Sequence, residues 1–547
     1  MPTLEIDWND RTSITGAVLV IYAIYWVFNA VYLLYFHPLA KFPGPKLPVI
    51  TAWYTFYHDV VRPGMMMWEI EKWHRKYGPI IRINADEIHI KDSHFYETLY
   101  APKGRKADRW ARLSTMFGTP ESVFAASDSK THKERRTPLN PFFSRSTVSK
   151  LEPVLQEKVS KLTTRLTGFV GEGDTALVKA RAEERRILGR EEGWIGGKEI
   201  RTREPKPDPG GVVRLDVAFF ALTQDVVCDY SFAKDWKHLD HAHFNPESKD
   251  SQTEGLEAVG IIRLFPMLPM YLQELPRWAA ALVSPAFAMY LDSKLAIRKE
   301  IIKIMEGKVK KESKSDRTVF DALINSDLLP EHKTLNRLTA EGSVLIIAGT
   351  DTTARALSFI FFYLLKDKEM YAKLKAALME VMPDPNNVPP WIELEKIPYL
   401  YGCMREGLRL SHGLTSRQSR VSNQPVKYKG WEIPPNTPVS ESAYFVLSDP
   451  EIFPEPEKFV PERWMGTAAQ RSNLERYMVS WGKGNQQCLG MHLATAEIVL
   501  ATAVIVRRFE MELYRTTLED VQVHHDSFVA AVVPWSRGIR VILTESV

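Results

Sequence analysis

From Thr12 to Phe36 the chain carries no formal charge, and that run restricts where the rest of the protein can sit. Its core, ITGAVLVIYAIYWVFNAVYLLYF, is just over twenty residues long. At about 1.5 Å per helical residue it covers roughly 30 Å, the thickness of a bilayer's hydrocarbon core. Tyr22, Tyr25, Trp26 and Tyr32 suit the two interfaces. A cleaved signal peptide would lead with basic residues, whereas here Glu5, Asp7 and Asp10 outnumber Arg11. Residues 1–36 are therefore read as an N-terminal segment and transmembrane anchor. Acidic residues precede the span and Lys41 and Lys46 follow it, so the positive-inside bias places the body in the cytosol, on a single-pass protein of the endoplasmic reticulum membrane.

Residues 37–50, including HPLAKFPGPKLP, form a proline-rich hinge in which fixed backbone dihedrals stop helix propagation; an ordinary linker is the competing reading. Residues 51–547 form the body. With 45% hydrophobic and 11% aromatic residues it has ample material for a large core. Lys+Arg at 71 against Asp+Glu at 67 leaves a net charge of +4, too small an excess for a nucleic-acid binder. Cys228, Cys403 and Cys488 are too few and too scattered for a disulfide scaffold or zinc cluster, and each is by default a small buried hydrophobe. About 171–211, dense in charge, glycine and proline, reads as a surface insertion whose deletion leaves cofactor binding intact.

Apolar residues recur at spacings of three and four through most of the body, as in MMMWEIEKWHRKYG, while PIIRINADEIHI and PVKYKGWEIPPNTPVSESAYF alternate around glycine and proline. The fold class expected is mainly α with minor β. Near the end, SWGKGNQQCLGMHLATAEIVLATAVIVRRF delivers Cys488 from a glycine-punctuated loop to a long apolar helix. Loop N–H groups and the helix dipole favour a deprotonated sulfur there; Gly484 permits the tight turn, and Gly490 lets a flat ligand approach the backbone. In VLIIAGTDTTARALSF, Gly349, Asp351, Thr352 and Thr353 interrupt an apolar helical pattern, which reads either as an opened helix turn with room for small molecules or as a helix boundary with caps. Glu406 and Arg409 in CMREGLRLSHG share one helical face, as many surface ion pairs do.

These motifs, in this order, resemble the cytochrome P450 family, in particular its fungal membrane-bound haem-thiolate monooxygenases. The family's haem loop runs approximately Phe-x-x-Gly-x-Arg-x-Cys-x-Gly, and Trp481, Gly484, Cys488 and Gly490 stand in register with it. Two positions depart: Trp481 replaces Phe, and Gln486 stands where a cation usually meets a haem propionate, replacing an ion-assisted bond with a weaker neutral one. The resemblance implies a single-domain haem-thiolate fold behind the anchor, with Cys488 as iron ligand. It implies Asp351 as proton relay, Thr352 as the hydroxyl that holds the oxygen, and Glu406 and Arg409 joined in a buried triad by Arg463 of PERW. His132 and Arg136 in HKERRTPLNPFFS, and Arg420 further on, are the implied propionate partners, the last of them equally readable as a surface charge.

The activity implied is insertion of one oxygen atom from O2 into a hydrophobic small molecule. Electrons come from NADPH through a separate flavoprotein reductase, docked with help from Lys483, Arg507 and Arg508 unless these are simply solvated charges. Ala348, Leu414 to Ser416 and Phe528 to Ala531 are expected at the substrate, and terpenoid, polyketide or alkaloid tailoring is favoured over housekeeping. The rival readings are rearrangement or dehydration on the same fold without a reductase, and a non-enzymatic membrane haem-binding protein.

Overall fold

The computed structural model describes residues 11–114, 118–171, 211–308 and 318–546, so the 171–211 insertion lies outside the described residues apart from its two ends. Helix dominates at 58% against 8% strand, in keeping with the mainly α expectation. The chain forms two compact units: Met1–Trp110 with Arg417–Glu441, and Ala111–Ser416 with Ser442–Val547.

In the first unit, Arg11–Val31 is an α-helix that widens into a π-turn over Tyr32–Phe36. Ile14–Phe36 is long and apolar enough to cross a membrane, and almost none of it is buried against protein. The segment after it is more than a linker. Arg82 donates to the carbonyls of Leu33 (2.7 Å) and Ala85 (2.6 Å), and the Pro43 carbonyl accepts the Arg82 N–H at 2.7 Å. Gly44, at φ +153°, lies so close that a Cβ would come within 2.4 Å of the Arg82 carbonyl oxygen, which only glycine avoids. One arginine thus fastens the hinge to the edge of a sheet. That sheet runs Ile80–Arg82, Ile88–Ile90, Val439–Ser440, Arg420–Val421, Asp108–Arg109. Its distant pieces are joined by the wholly buried Glu87, which accepts from Ser419 (2.5 Å), Ser440 (2.9 Å) and Arg417 (3.3 Å).

The second unit is built on Leu335–Lys366, a helix of 32 residues. Its length and apolarity would pass for a membrane span, but 61% of it is buried, and it is the core helix of this unit. It packs along Leu215–Phe232, in which every residue is buried. Small residues permit that approach: a Cβ on Gly349 would meet Val227 at 3.1 Å, and one on Gly342 would meet Phe232, also at 3.1 Å. Met491–Arg508 and Arg145–Thr167 pack against each other. A sheet of Val212–Arg214, Arg540–Ser546 and Phe509–Leu513, and a hairpin of His525–Ser527 with Val529–Ala531, complete the unit.

Candidate active site

The loop before Met491–Arg508 is shaped by its glycines. Gly482 and Gly484 sit at φ +69° and +72°, a region that favours glycine, and Gly484 opens a single 3-10 turn ending at Gln486. The Cys488 N–H donates to the Trp481 carbonyl at 2.7 Å, closing the loop, and Gly490 starts the helix. Trp481 and Gln486 are half-buried in this loop. Cys488 is exposed as a residue, yet the protein around it pushes its thiol above the ordinary value. The Gly490 N–H and the Arg136 guanidinium both favour the charged form without overcoming burial. A metal cation bound there would deprotonate the coordinating thiol outright.

Arg136 ends the helix Ser129–Arg136, whose start is capped by Asp128 accepting the Thr131 N–H at 2.9 Å. The structure places this guanidinium within electrostatic reach of Cys488, with its Nε donating to Asn140 Oδ1 at 3.2 Å. His132, one turn earlier on the same face, is buried. Arg420 belongs to the first unit. There it is buried, stacked 5.0 Å over the Tyr100 ring, and cross-strand partner to Arg109. Burial and the neighbouring Arg420 charge press the Arg109 pKa down to about 9. Arg109 escaped the sequence reading because only the strand pairing brings it beside Arg420.

The core helix runs unbroken through Asp351 and Thr352, which removes the helix-boundary reading. Thr350 and Thr352 donate to the carbonyls of Ile346 and Ala348, each at 2.7 Å, and Thr223 donates to the Thr350 carbonyl at 2.9 Å. At Gly349 an added Cβ would meet Val227 at 3.1 Å, so the glycine serves the packing of the two helices. Asp351 is buried, with Arg355 Nη2 3.5 Å from its Oδ2.

Glu406 and Arg409 are both fully buried and joined by two bonds of 2.8 Å. Arg409 also donates to the carbonyls of Leu447 (3.1 Å), Pro456 (2.6 Å) and Lys458 (2.8 Å). Arg463 Nε reaches only 3.5 Å from Glu406; closer are the Trp464 indole N–H at 3.0 Å and the Val460 N–H at 2.9 Å. The triad is present in space, but the tryptophan of PERW is the nearer partner. Arg507 is buried and donates to the carbonyls of Met382 and Pro383, both at 2.9 Å, so it is no docking charge; Arg508 donates to Asn386 at 2.8 Å.

The surroundings of Gly490 suit a haem. A Cβ added there would meet no protein atom within 4 Å, and its backbone, at φ −83°, suits any residue, so nothing in the protein itself demands glycine. Open space beside an accessible sulfur, with a guanidinium in reach, fits a flat anionic metal macrocycle.

The family pattern described as Cytochrome P450 matches residues 198–534. The chain is 37% identical to cytochrome P450 monooxygenase sdnE of Sordaria araneosa, over 97% of this chain and 98% of that protein. It is 36% identical to conidiogenone synthase PchP450 of Penicillium rubens (94% and 96% covered) and 34% identical to tryptophan 6-hydroxylase fscE of Fusarium equiseti (96% of each). The chain belongs to the cytochrome P450 family. It is an oxidoreductase of the monooxygenase type, and its family binds haem through a cysteine thiolate.

Proposed function

We propose that this protein inserts one oxygen atom from O2 into a hydrophobic small molecule of secondary metabolism, with Cys488 as the residue whose sulfur would hold its haem iron. The Cys488 loop carries the reading: an accessible sulfur in a closed loop at a helix N-terminus, beside a glycine that the protein's own packing does not require. Thiolate-bound haem supplies the oxygen activation, electron donation from sulfur favouring O–O cleavage. The chain's residues do the rest. Arg136, His132 and the neutral Gln486 would hold the cofactor's carboxylates, while within the first unit Arg420, a further candidate for such a group, is cross-strand partner to Arg109. Asp351 moves protons from the core helix, and Thr352, its hydroxyl turned back on Ala348, holds oxygen and water in place. Glu406, Arg409 and Arg463 fix the fold behind the cysteine loop.

The relatives carry names for different chemistries, a tryptophan hydroxylation and a conidiogenone synthesis, so the substrate class proposed here is a terpenoid, polyketide or alkaloid scaffold. Leu414 and Phe528–Val529, joined by a β-bridge and packed with Leu256, Val259 and Ile262, make an apolar surface suited to such a molecule. Electrons come from NADPH through a membrane flavoprotein reductase, with Ile14–Phe36 anchoring the protein in the endoplasmic reticulum and the body in the cytosol. The test is spectral and then chemical. The reduced, carbon-monoxide-bound protein gives a thiolate-type Soret band that Cys488→His abolishes, and co-expression with a reductase in a host making candidate scaffolds yields oxygenated products only with NADPH supply. Product formation independent of NADPH would sink the monooxygenase reading in favour of rearrangement.

A further inference from the structure

Asp351 lies buried on the core helix, and the cation beside it is Arg355, one helical turn further along. Arg355 is itself mostly buried, and its guanidinium forks: Nη2 stands 3.5 Å from Asp351 Oδ2 while Nη1 donates to the Ala530 carbonyl. Ala530 belongs to the strand Val529–Ala531, and its hairpin is anchored independently. The Phe528 carbonyl accepts the Thr415 and Ser416 N–H groups at 3.1 and 3.3 Å, and Asp526 accepts from Thr415 (2.9 Å), Ser416 (2.8 Å) and Arg263 (3.1 Å). One end of the fork therefore rests on a fixed backbone oxygen and the other on the carboxylate.

We propose that Arg355 is a positioning residue for Asp351: the Ala530 carbonyl fixes the guanidinium, and the guanidinium fixes the direction in which the carboxylate offers and receives protons. This rests on the proton-relay role proposed for Asp351. A flexible carboxylate at the end of two rotatable bonds spends little time in any one orientation, and a planar fork with a second anchor removes that freedom. A lysine places a single ammonium near the carboxylate but cannot present two diverging donors in a plane.

The consequence is a partition of electrons. Without substrate, dioxygen accepting two electrons and two protons leaves as hydrogen peroxide. Accepting four of each, with the O–O bond broken, it becomes two waters; the electrons come from NADPH through the reductase. Directed proton delivery favours water. The experiment uses the full-length, haem-loaded protein in membranes with an NADPH-dependent flavoprotein reductase and no added substrate. It measures oxygen, NADPH and peroxide, with the leak of reductase alone subtracted. Arg355→Met lowers the share of electrons ending in water at least about twofold, the low end of coupling between contacting residues, with the carbon-monoxide spectrum and haem content unchanged. Arg355→Lys falls between, and carries the comparison alone should Arg355→Met load too little haem. Asp351→Asn lowers the same share, and the double variant is no worse than Asp351→Asn. A wild-type water share in Arg355→Met, or losses that multiply in the double variant, overturns the positioning role. A wild-type share in Asp351→Asn overturns the relay reading beneath it, and the two failures are read from different variants.

Discussion

At the scale of single residues, glycines separate what the polypeptide needs from what its cofactor needs. Gly490 meets no protein atom and has ordinary dihedrals, whereas a Cβ on Gly402 would come within 2.4 Å of the Pro461 carbonyl oxygen. Gly402→Ala is accordingly expected to destabilise by about 1–3 kcal/mol, as overpacking against backbone does, seen as a lower melting temperature with or without haem. Gly490→Ala, which adds only the Cβ for which the protein leaves room, costs the haem-free protein no more than the loss of an N-cap, about 1 kcal/mol, but weakens haem retention by roughly tenfold, the equivalent of 1.4 kcal/mol. A larger loss of stability in the haem-free Gly490→Ala protein would show that the glycine serves the fold. Gln486 works the other way: Gln486→Arg restores an ion-assisted bond and slows haem loss on dilution, and an unchanged rate would mean that Arg136 and His132 already satisfy that side.

At the scale of elements, the helix Pro398–Leu410 carries a buried ion pair, Glu406–Arg409, and is bound to the turn Pro461–Met465 where Glu406 accepts the Trp464 indole N–H. Arg409 spends all of its planar donor set on Glu406 and three carbonyls from 447 to 458, so a point charge cannot replace it. Arg409→Lys, although charge-conserving, is expected to yield no soluble haem-loaded protein, since a broken buried pair costs about 3–5 kcal/mol. Trp464→Phe removes only the indole N–H from Glu406 and is expected to cost about 1–3 kcal/mol, measured as a shift in the urea midpoint with the slope unchanged. Recovery of haem-loaded Arg409→Lys at wild-type yield would refute the fork argument. The core helix gives the complementary lesson. A sequence that looks interrupted by glycine and threonine stays helical: Val227 packs against Gly349, and the Thr350 and Thr352 hydroxyls are satisfied by carbonyls of the same helix.

At the scale of the molecule, acid stability is set partly by a pair of histidines in the first unit. His74 Nε2 and His89 Nδ1 share a hydrogen bond of 2.7 Å, and His74 Nδ1 meets the Gly78 carbonyl at 2.8 Å. Burial lowers His74 to about 4 and His89 well below its usual value, so both are neutral in the fold. A depressed folded pKa means the unfolded chain takes up protons first. The stabilisation is complete above about pH 6.5 and is lost as pH falls toward 4, His74 alone accounting for about 3 kcal/mol. Thermal melts between pH 7 and 4 should show this decline, and His74→Asn should flatten it. The sequence by itself determined an N-terminal apolar helix long enough to span a membrane, the helical body, and the spacing of Trp481, Gly484, Cys488 and Gly490, because those depend on local periodicity and on intervals along one short segment. The pairing of Arg109 with Arg420, the placing of Trp464 nearer than Arg463 to Glu406, the burial of Arg507, and the fork from Arg355 to Ala530 were decided only by tertiary structure. Each is a contact between residues distant in the chain, or a choice between burial and exposure for a charged side chain, and no local pattern encodes which of those a folded core imposes.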